Sequence, residues 1–231
     1  MQTRMRMNKL LALLHHHAEL LMNDFEKYLK PNREDFGKDP FGYSALARHK
    51  WGTAATMAGF PIDISKPATS EELKNPILWM SQAHALSEAA VAVLKKDQNF
   101  QAMPLAVRSA CDSQYCAVGL MLVGYSLEIC LKSMIIIQKG VEGYKEVESK
   151  NRHHRLHDLA NFVPNLSKKE LAILRGLTHF VYWAGRYPDP GSGREDEAEE
   201  IFEIAEKYRI TAHDLFKLST KVMRHAQEVT A

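Results

Sequence analysis

The chain is poor in cysteine, and the three it has, Cys111, Cys116 and Cys130, make an odd-numbered set without framework spacing. Such a set does not suggest a disulfide scaffold. An excess of one charge is lacking too: 30 Lys and Arg stand against 28 Asp and Glu, a formal net charge of +2. Without a strong global field, contact with nucleic acid or an anionic membrane needs a local patch. The longest apolar stretch free of charge runs from Tyr115 to Leu127. That is well short of the roughly 20 residues that cross a bilayer. Near the start, Arg4, Arg6 and Lys9 precede an apolar run at 10–14, but His15, His16 and His17 cut it off. No export signal results, and the cytoplasm is the expected compartment. The sequence has no G-x-S-x-G, no phosphate-cradling glycine loop and no C-x-x-C. These absences disfavour hydrolase, nucleotide-triphosphate and redox chemistry.

What is present reads as helix. Apolar residues make up 45% of the chain and charged residues 25%, the proportions of a folded globular protein. Leu10, Leu14, Leu21, Phe25 and Leu29 recur at helical steps from Met7 to Leu29, and Pro31 closes that segment. Gly and Pro punctuate 31–68, with a short helix expected from Ser44 to Met57. Thr69 to Glu72 has the form of a capping box. Pro76 then sits where a first helical turn tolerates proline. The helix that follows reaches Lys96, with Ile77, Met80, Ala83, His84, Leu86, Val91 and Leu94 as its expected inner face. From Leu105 to Gln138 the apolar residues cover nearly every side, the mark of a buried central helix ended by Gly140. All three cysteines fall here and read as buried free thiols. A polar loop is expected over 140–155, then a short helix from His157. A second capping box, Ser167 to Glu170, opens a helix running to about Trp183. After a Pro- and Gly-rich loop, one last helix with an acidic start is expected to reach His225. The fold class is all-α, a helical bundle.

Three groups of residues could carry chemistry. Glu128 and Lys132 interrupt the most apolar helix at a spacing that favours an ion pair. They read either as a structural pair fixing helix register or as the polar floor of a cleft. Arg152, His153, His154, Arg155, His157 and Asp158 form a dense polar cluster. It lacks the glutamate and third ligand of a zinc motif. A helix cap by His157 or Asp158 is one reading, and a basic loop meeting phosphate is another. Trp183, Arg186 and Tyr187, held by Pro188, make either a cation–π or base-stacking group or an aromatic hinge with Arg186 paired to a carboxylate.

Three segments in order resemble the HEPN family: Gly124-Tyr-Ser-Leu-Glu-Ile-Cys-Leu-Lys132, Leu156-His-Asp-Leu159 and Trp183-Ala-Gly-Arg-Tyr-Pro188. The resemblance covers roughly residues 75–225 and implies an HEPN-like helical bundle over 75–231, with residues 1–74 a helical N-terminal extension. It also implies a homodimer and a ligand that is a nucleotide, an RNA or a partner protein. Glu128, Lys132, His157, Asp158, Trp183, Arg186 and Tyr187 would line or support the binding cleft, with no metal, no cofactor and no membrane. Active HEPN ribonucleases carry Arg, then four to six residues, then His. Here Arg175 and His179 are separated by three residues, as are Arg209 and His213. Arg152 and His157 have four between them but precede the His-Asp-Leu turn. The sequence therefore favours a non-catalytic binding member over the alternative, a metal-independent ribonuclease of a toxin–antitoxin or phage-defence system.

Overall fold

A computed structural model describes residues 30–57, 60 and 62–230. The helix expected over 7–29 and the three consecutive histidines lie outside the described residues. The described residues are helical, with no strand among them. They divide after Ala68 into two units.

The first unit holds α1 (Arg33–Lys38), α2 (Pro40–Ala45) and α3 (Ala47–Met57). Its helices are capped locally. The Asn32 side chain accepts from the Glu34 N–H, and Asp39 accepts from the Gly42 N–H with Pro40 at the first helical position. Phe36 and Tyr43 meet edge to face at 5.9 Å. The Thr56 hydroxyl accepts from the Ile62 N–H at 3.0 Å and folds the following segment back on α3. The helix expected over 44–57 is present, split by a turn at Leu46.

The second unit begins with α4 (Ser70–Leu73), and both bonds of the Thr69–Glu72 capping box are made. Asn75 caps α5 (Pro76–Lys95), with Pro76 in its first turn. The next long helix is α6 (Arg108–Glu148). Ser126 donates to the Ala83 carbonyl and Ser133 to the Pro76 carbonyl. Later residues of α6 thus meet earlier residues of α5, and the two helices run antiparallel. The inner face of α5 centres on Ala83 and Ala90, while Ile77 and His84 are exposed. Small residues win that face because Ser126, Ser133 and Gly119 bring the α6 backbone close. A Cβ at Gly119 would meet the end of Leu94.

Leu127, Cys130, Leu131, Met134 and Ile136 are fully buried in α6. The expectation of a central buried helix holds over 119–136, but the first turns, through Val118, are largely exposed. Of the three thiols only Cys130 is buried. Cys111 is half-buried and Cys116 exposed, because both precede the segment that α5 and the later helices cover. Gly140 has φ +70° and breaks the helix, yet residues 141–148 turn back into helix where a loop was expected. Windows of α5 and α6 are long and apolar enough to cross a membrane by length and composition, and the α6 window is 67% buried inside the protein.

Next come α7 (Leu156–Leu159), α8 (Lys168–His179), opened by the Ser167–Glu170 capping box, and a π-helical turn, Phe180–Ala184. Gly124 lets this segment reach α6: a Cβ there would lie 2.4 Å from Val181 Cγ2 and 3.3 Å from the Leu177 carbonyl. The single last helix expected from the sequence is two, α9 (Asp196–Tyr208) and α10 (Ala212–Thr230). Arg209, at φ +46°, ends α9. Thr211 then exchanges hydrogen bonds with Asp214 and starts α10. Leu218, Val222 and Ala226, at four-residue steps, bury α10 against the core.

Candidate functional site

Glu128 and Lys132 lie on one face of α6, 5% and 9% exposed, and pair at 2.7 Å. The second Glu128 oxygen meets His154 Nδ1 at 2.8 Å. One carboxylate thus holds two nitrogen donors, satisfying a charge that would be very unfavourable alone in an apolar interior. The His154 ring stands edge-on to Tyr125 at 6.0 Å and to Tyr182 at 5.6 Å. Tyr182 belongs to the π-helical turn, and the Arg194 guanidinium lies 5.6 Å from its ring centre.

From Arg194 the polar contacts continue along the surface. Arg194 binds Glu197 through two N–H groups, at 2.7 and 2.8 Å. His179 is buried, with Nε2 3.0 Å from Glu200 and Nδ1 3.6 Å from Glu197. The other Glu200 oxygen holds Arg175 at 2.5 Å. Arg175 and His179 share a face of α8 by their four-residue spacing, and the acidic first turns of α9 close over them. The acidic start of α9 was legible as a complement to the helix dipole. Its second role, as anchor for Arg175 and His179 of α8, was not.

These side chains line a groove of about 590 Å³ between α8, α9 and the segment before α7. His153, Arg155 and His157 form its far wall. Arg155 pairs with Asp158 at 2.7 Å, and His157 Nε2 lies 3.5 Å from the same carboxylate. Neither His157 nor Asp158 caps α7. Their contacts go to each other and to Arg155 instead. Burial, followed by the nearby arginines, holds the His157 and His153 imidazoles below their ordinary pKa, against the pull of Asp158. The paired Arg194 holds the Glu197 carboxyl low. A second hollow of about 550 Å³ adjoins the first through His157, Arg175 and Glu200 and extends to Lys168 and Lys207.

The residues singled out from the sequence are therefore distributed. His157 lines the groove, and Asp158 orients Arg155 there. Glu128 and Lys132 lie beneath it and connect to it through His154 and Tyr182. Trp183 is buried. Arg186 donates to the Tyr182 carbonyl and lies 5.6 Å from the exposed Tyr187 ring. It has a carbonyl partner where a carboxylate was one expectation, and neither Arg186 nor Tyr187 lines the groove. Sequence reasoning overlooked Tyr182, Arg194, Glu197 and Glu200 as groove residues. It noted Arg175 and His179 but set them aside for their spacing. Among the described residues no group of three His, Cys, Asp or Glu side chains could hold a metal ion.

The groove is lined by Arg155, Arg175 and Arg194 beside Glu197 and Glu200. Each of its three arginines is oriented by one carboxylate, and a guanidinium carries more N–H donors than one carboxylate takes up. No curated protein and no solved structure matches the chain. A family model does: the HEPN domain matches residues 106–211. The match begins at the entry to α6 and ends at the break between α9 and α10, so it contains every groove residue named above. Over these residues the chain is similar to the HEPN domain.

Proposed function

We propose that this protein is a non-catalytic binding module whose groove takes a phosphate-bearing ligand, a nucleotide or a segment of RNA. The carrying observation is the convergence of Arg155, Arg175 and Arg194 on one groove, each fixed by a carboxylate. Tyr182 supplies an aromatic edge beside them. A volume near 590 Å³ suits a ligand of nucleotide size. His179 supports the non-catalytic reading, because both of its ring nitrogens face carboxylates. A general base needs a nitrogen within reach of the proton it removes. The same reading includes a homodimer through helical faces, working in the cytoplasm.

The test is a binding titration at low salt with adenosine monophosphate and with a short labelled single-stranded RNA. One of the two should bind, and Arg155→Ala and Arg175→Ala should each weaken it about tenfold, about 1.4 kcal/mol. Affinity unchanged in both variants, or no binding of either probe, would overturn the proposal.

One observation favours the ribonuclease reading: Arg175 and His179 are held by the two oxygens of a single carboxylate, Glu200. A cation and an imidazole placed together could act on a phosphodiester. Incubating the wild type with total RNA and a chelator, beside His179→Ala and His157→Ala, separates the two readings. Metal-independent cleavage that disappears in His179→Ala would replace the binding proposal by an enzymatic one.

A further inference from the structure

Another cavity lies away from the groove just described. It has about 1060 Å³ and opens between α10, the start of α8 and the turn at 163–165. Its floor is apolar, with Val163, Ile173 and Leu218 buried and Phe216 partly exposed. Two ion pairs, Lys169–Asp214 at 2.6 Å and Lys221–Glu170 at 2.9 Å, fasten its walls together. Lys217 and Arg224 are different. Both are exposed on the α10 wall, and among the described residues neither makes an ion pair. They are seven residues apart, about 10.5 Å along one helix face.

A matching surface exists elsewhere on the same unit. On the outer face of α9, Glu195, Glu199, Phe202 and Glu206 follow one another at steps of four, three and four residues, so they form a single stripe. Phe202 is 76% exposed, in the middle of acidic neighbours. Glu199 and Glu206 flank it, exposed and without an ion pair among the described residues. They too are seven residues apart, again about 10.5 Å. None of Glu199, Phe202 and Glu206 lines the groove of the proposed function.

We propose that α9 of one copy of this chain docks in the α10 cavity of another copy. Phe202 lies on the apolar floor, and Glu199 and Glu206 meet Lys217 and Arg224. The spacing of the two charge pairs agrees, their signs are opposite, and Phe202 lies between the stripe's charges where the cavity has an apolar floor. A helix lying in a groove through anchors at i, i+3 and i+7 is a common mode of recognition. The contact joins unlike surfaces. Made twice, reciprocally, it closes a two-fold dimer, and made once per copy it builds an open chain. The inference rests on the self-association included in the proposed function and names its surface.

Sedimentation of the full chain over a range of concentrations tests it, with a cavity variant (Lys217→Glu, Arg224→Glu) and a stripe variant (Glu199→Lys, Glu206→Lys). Far-UV circular dichroism shows that each variant keeps its helix content, and Phe202→Ser gives an independent probe of the stripe. The wild type should self-associate, more weakly at high salt. Each variant should associate at least tenfold more weakly. An equimolar mixture of the cavity and stripe variants should regain association, because each brings the surface the other has lost. A wild type that self-associates while the variants do so equally well would overturn this contact and leave the dimer reading standing. So would a mixture that stays monomeric. A wild type that stays monomeric throughout would overturn both.

Discussion

Glu128 is a carboxylate in the most apolar turns of the protein, and its two oxygens are divided between Lys132 and His154. Removing one member of such a buried pair leaves the other without compensation, at a typical cost of about 3–5 kcal/mol. Glu128→Ala should therefore destabilise the fold by about that amount, measured by urea denaturation. Replacing both residues, Glu128→Met with Lys132→Leu, should restore most of the loss, since a packed apolar pair of similar volume is often no worse. If the double variant is no more stable than Glu128→Ala, the pair is not the source of the effect. The pair itself was legible: opposite charges four apart in an otherwise apolar helix have few other arrangements. His154 was not legible as its third member. It lies 26 residues further on, and only the return of the chain after α6 brings it beside Glu128. Local spacing carries no information about that return.

Helix starts were the most legible elements, because a capping box is a local chemical device. Thr69–Glu72 and Ser167–Glu170 both form as their sequences suggest. Breaks were harder. Gly140 reads as a helix end in the sequence and is a kink with helix on both sides. The division between α9 and α10 is hard to read at Arg209, an unusual residue at positive φ. The signal was there in Thr211 and Asp214, a Thr-x-x-Asp pattern of the same kind as the other boxes. Close approach between helices belongs to this scale too. Gly119 faces the flexible end of Leu94, whereas Gly124 faces both a β-branched side chain and a backbone carbonyl. Gly124→Ala should destabilise by about 1–3 kcal/mol, the usual effect of overpacking, despite alanine's better helix propensity. Thermal or urea unfolding measures this, and a stabilised variant would mean that α8 is not held as close as described.

Taken as a whole, the molecule carries its titratable groups in places that tie stability to pH. His153 and His157 are held below the ordinary imidazole value of 6.5, chiefly by burial. Below pH 6.5 the unfolded chain takes up protons there before the folded one does, so stability falls as pH falls. Glu197, held low by Arg194, adds a second loss at more acid pH, as its pairing is undone below the usual carboxylate range. The urea midpoint should drop between pH 7.5 and 5.5, and a His153→Gln, His157→Gln variant should show a smaller drop. An equal drop in that variant would place the pH dependence elsewhere. At this scale the all-helical class and three ordered HEPN-like motifs were legible in the sequence. The groove was less legible, because its walls come from three segments and Arg175 is held by a carboxylate of a different helix, Glu200.

The π-helical turn at Phe180–Ala184 holds one residue more than an α-helical turn would. Each residue of a helix advances about 100° around the axis. The surplus residue therefore sets the bearing of everything that follows it. With the turn as it is, Tyr182 faces His154 and Trp183 faces inward. A chain with that surplus excised would run on as uninterrupted α-helix, and the positions after the excision would look out in another direction. Tyr182 would lose its place between the buried carboxylate and the surface arginine, and the interior would no longer be wired to the groove.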